Sequence, residues 1–106
     1  MKGIKISITS FIDDHQPGWV ECKFHDAHGE EHIVHEKVAI VTKDLLDAKS
    51  PYPQNGVIAC EVILAWTDQN GRTGFTVDTS TPWSVETTEG VERFDVLEEQ
   101  LTDLED

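Results

Sequence analysis

Apolar and polar residues alternate with a period of two along most of this chain. Ile4, Ile6, Ile8 and Ile12 alternate with Lys5, Ser7, Thr9 and Phe11, which predicts a half-buried first strand with the isoleucines inward. Asp13 to Gly18, with Pro17-Gly18, is turn chemistry. Three later segments share one device, a polar four-residue run ending in glycine: Asp26-Ala27-His28-Gly29, Asp68-Gln69-Asn70-Gly71 and Thr87-Thr88-Glu89-Gly90. A type I turn followed by a left-handed glycine makes a three-residue hairpin loop, so three hairpins are expected.

Each loop fixes a register that side-chain logic can test. With Asp26 opposite Glu30, Phe24 faces His32, Cys22 faces Val34 and Val20 faces Glu36. On the other face Glu21 meets His35 and Trp19 meets Lys37. One face is mostly apolar, and the other pairs opposite charges and a cation with an indole. A slip of one residue would exchange the faces and spoil both. In the second hairpin Ala65 faces Phe75, Ile63 faces Val77 and Trp66 faces Gly74, an aromatic opposite a strand glycine. Val57–Trp66 is apolar on both faces apart from Glu61, which predicts a central strand covered on both sides. The third hairpin sets Ser84 opposite Phe94 and Glu86 opposite Glu92, a like-charge pair that costs stability and calls for another register, separation in solvent or a cation between them.

Residues 43–49, Lys-Asp-Leu-Leu-Asp-Ala-Lys, have the composition of a short helix, and the two prolines of Ser50–Gly56 require a loop. Leu97, Leu101 and Leu104 stand at i, i+4 and i+7, a short amphipathic stripe. The fold expected is mainly β: about seven antiparallel strands built from successive hairpins, closing as a small sandwich or a partly open barrel. It has at most a short helix near 43–49 and a short C-terminal helical turn. Residues 1–97 form a single β domain, and 98–106 an acidic C-terminal tail or short helix. A length of 106 residues with 38% apolar and 8% aromatic content supports one modest core.

The charge adds a second theme. The formal net charge is −13, and Glu86 to Asp106 contribute nine acids against Arg93 alone. Such a field repels nucleic acid and anionic membrane and steers basic partners in. Met1-Lys2-Gly3-Ile4-Lys5 is not the opening of a signal peptide, and no apolar run is long enough to span a bilayer, so a cytoplasmic location is expected. Cys22 and Cys60 have no CxxC spacing and lie in apolar runs, which reads as reduced core thiols.

Candidate chemistry is sparse. His25, His28, His32 and His35 fall within eleven residues. The hairpin register sends His32 to one face and His25 and His35 to the other, so the histidines do not converge on one ion, and no metal or cofactor is expected. The bland alternative is cross-strand pairing, Glu21 with His35 and His25 with Glu31. Asp13-Asp14-His15 reads as a solvated turn, and Asp68–Gly71 lacks the later ligands of a calcium loop. There is no nucleophile elbow, no phosphate-cradling glycine loop and no basic stripe. The balance of the sequence is against an enzyme.

Trp83 precedes Glu86, Glu89, Glu92 and Asp95, and Trp19 stands at a turn exit. Aromatic anchors rimmed by carboxylates suit a basic protein partner, because anchors carry affinity while charges set on-rate and partner choice. In character alone, without a shared motif, the chain resembles bacterial antitoxins and immunity proteins that block basic nuclease toxins. That resemblance implies occlusion of a basic cleft by carboxylates in place of phosphates. The alternative is a small β domain that binds a small molecule or serves as a subunit of a larger assembly.

Overall fold

The computed structural model describes residues 1–13 and 18–104. The strands are β1 (Lys2–Asp13), β2 (Trp19–His25), β3 (Glu31–Lys37), β4 (Gln54–Thr67), β5 (Thr73–Asp78), β6 (Arg93–Leu97) and β7 (Leu101–Asp103). One helical turn, α1 (Val38–Val41), follows β3, and Glu98–Gln100 make a 3₁₀ turn. The strands form one antiparallel sheet in the order β3-β2-β1-β4-β5-β6, with β7 also beside β1. The sheet curls into a half-barrel, the partly open member of the two expected closures. Among the described residues no helix is long and apolar enough to cross a membrane.

The curl follows from how β4 is shared. Gln54–Cys60 pair with β1, while Glu61–Thr67 pair with β5. Ile58 and Cys60 of β4 therefore lie in one core with Ile4, Ile8, Val20, Cys22 and Val34 on one side and Val77, Val85, Phe94 and Val96 on the other. The tip of the first hairpin closes the open side. Ala27 is buried, its N–H donates to the Asp95 carbonyl of β6 (2.8 Å), and its carbonyl accepts from the Arg72 guanidinium (3.3 Å).

The β2–β3 register is the one read from the sequence, from Trp19↔Lys37 to His25↔Glu31. The Lys37 ammonium lies 5.8 Å from the Trp19 ring centre, and His35 reaches Glu21 at 3.1 Å. Near its turn the β4–β5 hairpin also keeps its expected pairs, Ala65↔Phe75 and Trp66↔Gly74. Past Leu64 a bulge shifts it, so Val77 faces Val62 and not Ile63. Two register shifts in β1 have a similar effect. After the first, Phe11 pairs with Val20 and packs against the core, and Ile12 is left exposed, reversing the expected alternation.

Other expectations are corrected by competing local chemistry. Residues 43–49 do not form the helix. The Asp47 carboxylate accepts the Lys49 N–H (2.8 Å) and the Ser50 hydroxyl accepts the Asp47 N–H (3.0 Å), offering the backbone a turn instead. The short helix forms one step earlier, at Val38–Val41. β4 is central but not covered throughout, because Val62, Ile63 and Leu64 remain exposed on the half that pairs with β5. The leucine stripe near the C-terminus is not a continuous helix. After the 3₁₀ turn, Leu101–Asp103 lie along β1, on Lys2–Ile4.

The third hairpin closes only at its tip. The Thr87 N–H donates to the Val91 carbonyl (2.9 Å), as the expected register requires. Beyond that pair the chain departs. β6 takes β5 as its partner, with Asp78↔Arg93 and Val77↔Phe94, so Ser84 and Glu86 never face Phe94 and Glu92 as strand partners. The buried Thr79 organises the excursion. Its N–H donates to the Glu92 carbonyl (2.8 Å) and its hydroxyl to the Val85 carbonyl (2.6 Å).

Two outcomes test this packing. A Cβ at Gly74 would sit 2.3 Å from the Trp66 indole and 2.6 Å from the Val96 carbonyl oxygen. Gly74→Ala should therefore lower unfolding free energy by about 1–3 kcal/mol in urea titrations. Burial pushes the Cys22 thiol up to about 12, with Glu36 and Glu21 adding to it, and the Cys60 thiol up to about 11. Both thiols should resist a disulfide reagent at neutral pH in the folded protein and react promptly in denaturant.

Candidate functional site

The three glycine-ended loops share one hydrogen-bond scheme. Asp26 Oδ1 accepts from the N–H groups of His28 (2.8 Å) and Glu30 (3.1 Å). Asp68 Oδ1 accepts from Asn70 (2.9 Å) and Arg72 (2.8 Å). The Thr87 hydroxyl oxygen accepts from Glu89 (3.2 Å) and Val91 (3.0 Å). In each, the glycine at the fourth position has a positive φ, 81°, 79° and 84° in chain order, which an L-residue would adopt only with strain. The side-chain acceptor and the left-handed glycine supplement the backbone bonds that close each turn, such as the Gly29 N–H to the Asp26 carbonyl (3.0 Å).

At Asp26 this scheme leaves the second carboxylate oxygen aimed away from the turn. Oδ2 meets His32 Nε2 at 2.8 Å, and the two side chains are only 7% and 11% exposed. The His32 ring is held in place by Phe24 and Phe94, with ring centres 5.2 and 4.8 Å away. Glu30 completes a group: one ligand atom each of Asp26, Glu30 and His32 lies within 4.8 Å of the others. Burial pushes the Asp26 carboxyl up. The His32 contact and the two backbone donors outweigh it and hold the group below the usual carboxylate range.

A second pair stands beside the first. His28 Nε2 lies 3.0 Å from Asp95 Oδ2, and Asp95 Oδ1 accepts the Thr76 hydroxyl (2.6 Å). The Asp95 contact raises the His28 imidazole above its usual value, while His28 and Thr76 hold the Asp95 carboxyl down. Asp26, His28, Glu30, His32 and Asp95 line one cavity between the hairpin tip and β6.

The 79–92 excursion builds a separate feature. The Thr88 N–H donates to the Ile33 carbonyl (2.9 Å), which lays the segment against β3. Glu89 then faces Glu30, Glu31 and His32 across a narrow cleft, and Glu86 lies with His35 in the adjoining hollow. Trp83 is 57% exposed on the same excursion.

The six residues singled out from the sequence therefore divide. Glu86, Glu89 and Trp83 are exposed on the excursion. The Glu92 backbone is drawn into pairing with Thr79, and the Asp95 carboxylate is committed to His28 and Thr76. Trp19 is half-buried at the end of the first hairpin farthest from its turn. Asp14 and His15 of the Asp13-Asp14-His15 cluster lie outside the described residues.

Sequence reading missed Asp26, Glu30 and His32 as a group. Histidine spacing alone does not reveal the group, because two of its three members are carboxylates. The usable signal was the hairpin register itself, which sets Asp26 and the His32 partner Phe24 on one face, two residues apart.

The His28–Asp95 pair has a defined pH window. Asp95 is depressed from 3.8, so its contribution is present above that value and lost as pH falls through the lower folded value. His28 is raised from 6.5, so its contribution is complete below that value and lost as pH rises through the higher folded one. The difference in melting temperature between the wild type and Asp95→Asn should be greatest between pH 3.8 and 6.5 and narrow on both sides.

Comparison with protein-family models, with curated proteins and with solved structures finds no match for this chain.

Proposed function

We propose that this chain is a non-enzymatic acidic binding protein of the immunity or antitoxin type, which occludes a basic cleft on a protein partner such as a nuclease. One observation carries the reading. Docking of the 79–92 excursion on β3 sets Glu89, from the acidic C-terminal half, across a cleft from Glu30 and Glu31 of the first hairpin, with Glu86 beside His35 in the adjoining hollow. Carboxylates far apart in sequence thus share one surface, with Trp83 exposed on the same segment. Exposed carboxylates on a hydrogen-bonded backbone present fixed negative charge, as a phosphate backbone does. A basic cleft that evolved for nucleic acid is a fitting target for it. Trp83 would supply apolar anchoring that charge does not. Neither buried thiol supplies a nucleophile.

The test uses the tagged wild-type chain and the triple variant E31K/E86K/E89K as baits in lysate of the source cells, at low and high salt, read by mass spectrometry. Glu30 is left intact because it belongs to the other cavity as well. The expected result is one basic protein recovered near stoichiometrically by the wild type, weakened by salt and lost with the variant. Its association rate at low salt should fall by about 10-fold or more on charge reversal. Equal recovery by both baits, or no basic protein at either salt, would sink the reading.

A further inference from the structure

We infer that Asp26, Glu30 and His32 form a binding site for a single zinc ion at the tip of the first hairpin. One ligand atom of each residue lies within 4.8 Å of the other two. The Asp26–His32 separation is 2.8 Å, and two ligands of a tetrahedral zinc ion stand about 3.3 Å apart, given bonds of about 2.0–2.1 Å. A movement of about half an ångström turns the hydrogen-bonded pair into a ligand pair. Ligation uses the tautomer with its proton on Nδ1, which leaves the His32 Nε2 lone pair free for the ion and the imidazole neutral.

The supports of both half-buried ligands are already built. The rings of Phe24 and Phe94 fix the His32 imidazole, and the N–H groups of His28 and Glu30 hold Asp26 by its other oxygen. Such outer contacts orient first ligands and tune their basicity. Glu30 is exposed, and its carboxylate is the adjustable third ligand. A fourth position faces the cavity lined by His28 and Asp95, which is open enough to admit water or a partner's side chain.

The donor set favours zinc over magnesium and calcium. One imidazole nitrogen with two carboxylates suits zinc, whereas magnesium and calcium favour oxygen alone. Charge agrees, because two carboxylates and a neutral imidazole balance a divalent ion, and this chain carries a formal charge of −13. Among the described residues, His25 lies 3.7 Å from Glu31 and His35 lies 3.1 Å from Glu21, in pairs more exposed than Asp26–His32.

The experiment titrates zinc chloride alone into the full chain, stripped with chelator and passed into metal-free buffer, by calorimetry. Cobalt(II) absorption reports coordination number. One equivalent should bind, with the visible bands of a four-coordinate ion. Glu30→Gln and His32→Gln should each weaken it by more than about tenfold, at least the cost of losing an outer partner. His25→Gln and His35→Gln should leave it unchanged. Glu30 lies on the surface, so its variant keeps the test valid if the His32 variant fails to fold. Absence of uptake would overturn the site. So would uptake indifferent to Glu30→Gln, or displacement of zinc by equimolar calcium or magnesium.

Discussion

One strand holds two half-sheets together, and the rest of the molecule depends on it. The first half of β4 is hydrogen-bonded to β1 and the second to β5. A twisted strand of fourteen residues cannot keep both neighbours in one plane, so the halves turn to face each other. Ile58 and Cys60 then meet side chains from both directions, and a chain of modest apolar content closes a continuous core. Burial of isoleucine and valine at about 25 cal/mol per Å² supplies the main favourable term. The hydrogen bonds of the sheet decide which residues receive it.

Curling leaves an open side, and backbone bonds from distant segments close it. Ala27 at the tip of the first hairpin is held by β6 through its N–H and by Arg72 through its carbonyl. Thr88 is bonded to Ile33 on the free edge of β3, which covers part of an edge that would otherwise invite pairing with another chain. β7 extends the edge of β1 that β2 leaves unused: β2 pairs with Ser7–Asp13 and β7 with Lys2–Ile4. The Gln100 side chain ties this turn to the His25 carbonyl (2.6 Å). The edges are closed by short segments, each with a few bonds.

The same closures create the chemistry. Docking Ala27 on β6 sets His28 against Asp95, and His32 against Phe94. Docking Thr88 on β3 sets Glu89 opposite Glu30 and Glu31. Both features meet at Glu30 and His32, which line the cleft and the cavity alike. The acidic surface and the half-buried Asp26–His32 pair are thus two faces of one hairpin tip. One is exposed and screened by salt, and the other is desolvated and held by fixed rings.

Local structure is legible in short stretches of the chain. Asp26, Asp68 and Thr87, each followed at the fourth position by glycine, specified three turns, because a side-chain acceptor and a left-handed residue act within five residues of chain. The register of the first hairpin followed from its turn, and Trp66 over Gly74 followed from the second. What those turns connect depends on long-range packing. The third turn formed, but its flanks separated, because β5 offered β6 a better partner than residues 82–86 and Thr79 drew Glu92 and Val85 to itself. The bulges in β1 reversed Phe11 and Ile12, since packing against Val20 outweighs alternation. The pairing of His28 with Asp95, 67 residues apart, has no local cause. It exists only because the core brings the hairpin tip to β6, a long-range contact that no pattern of period two contains.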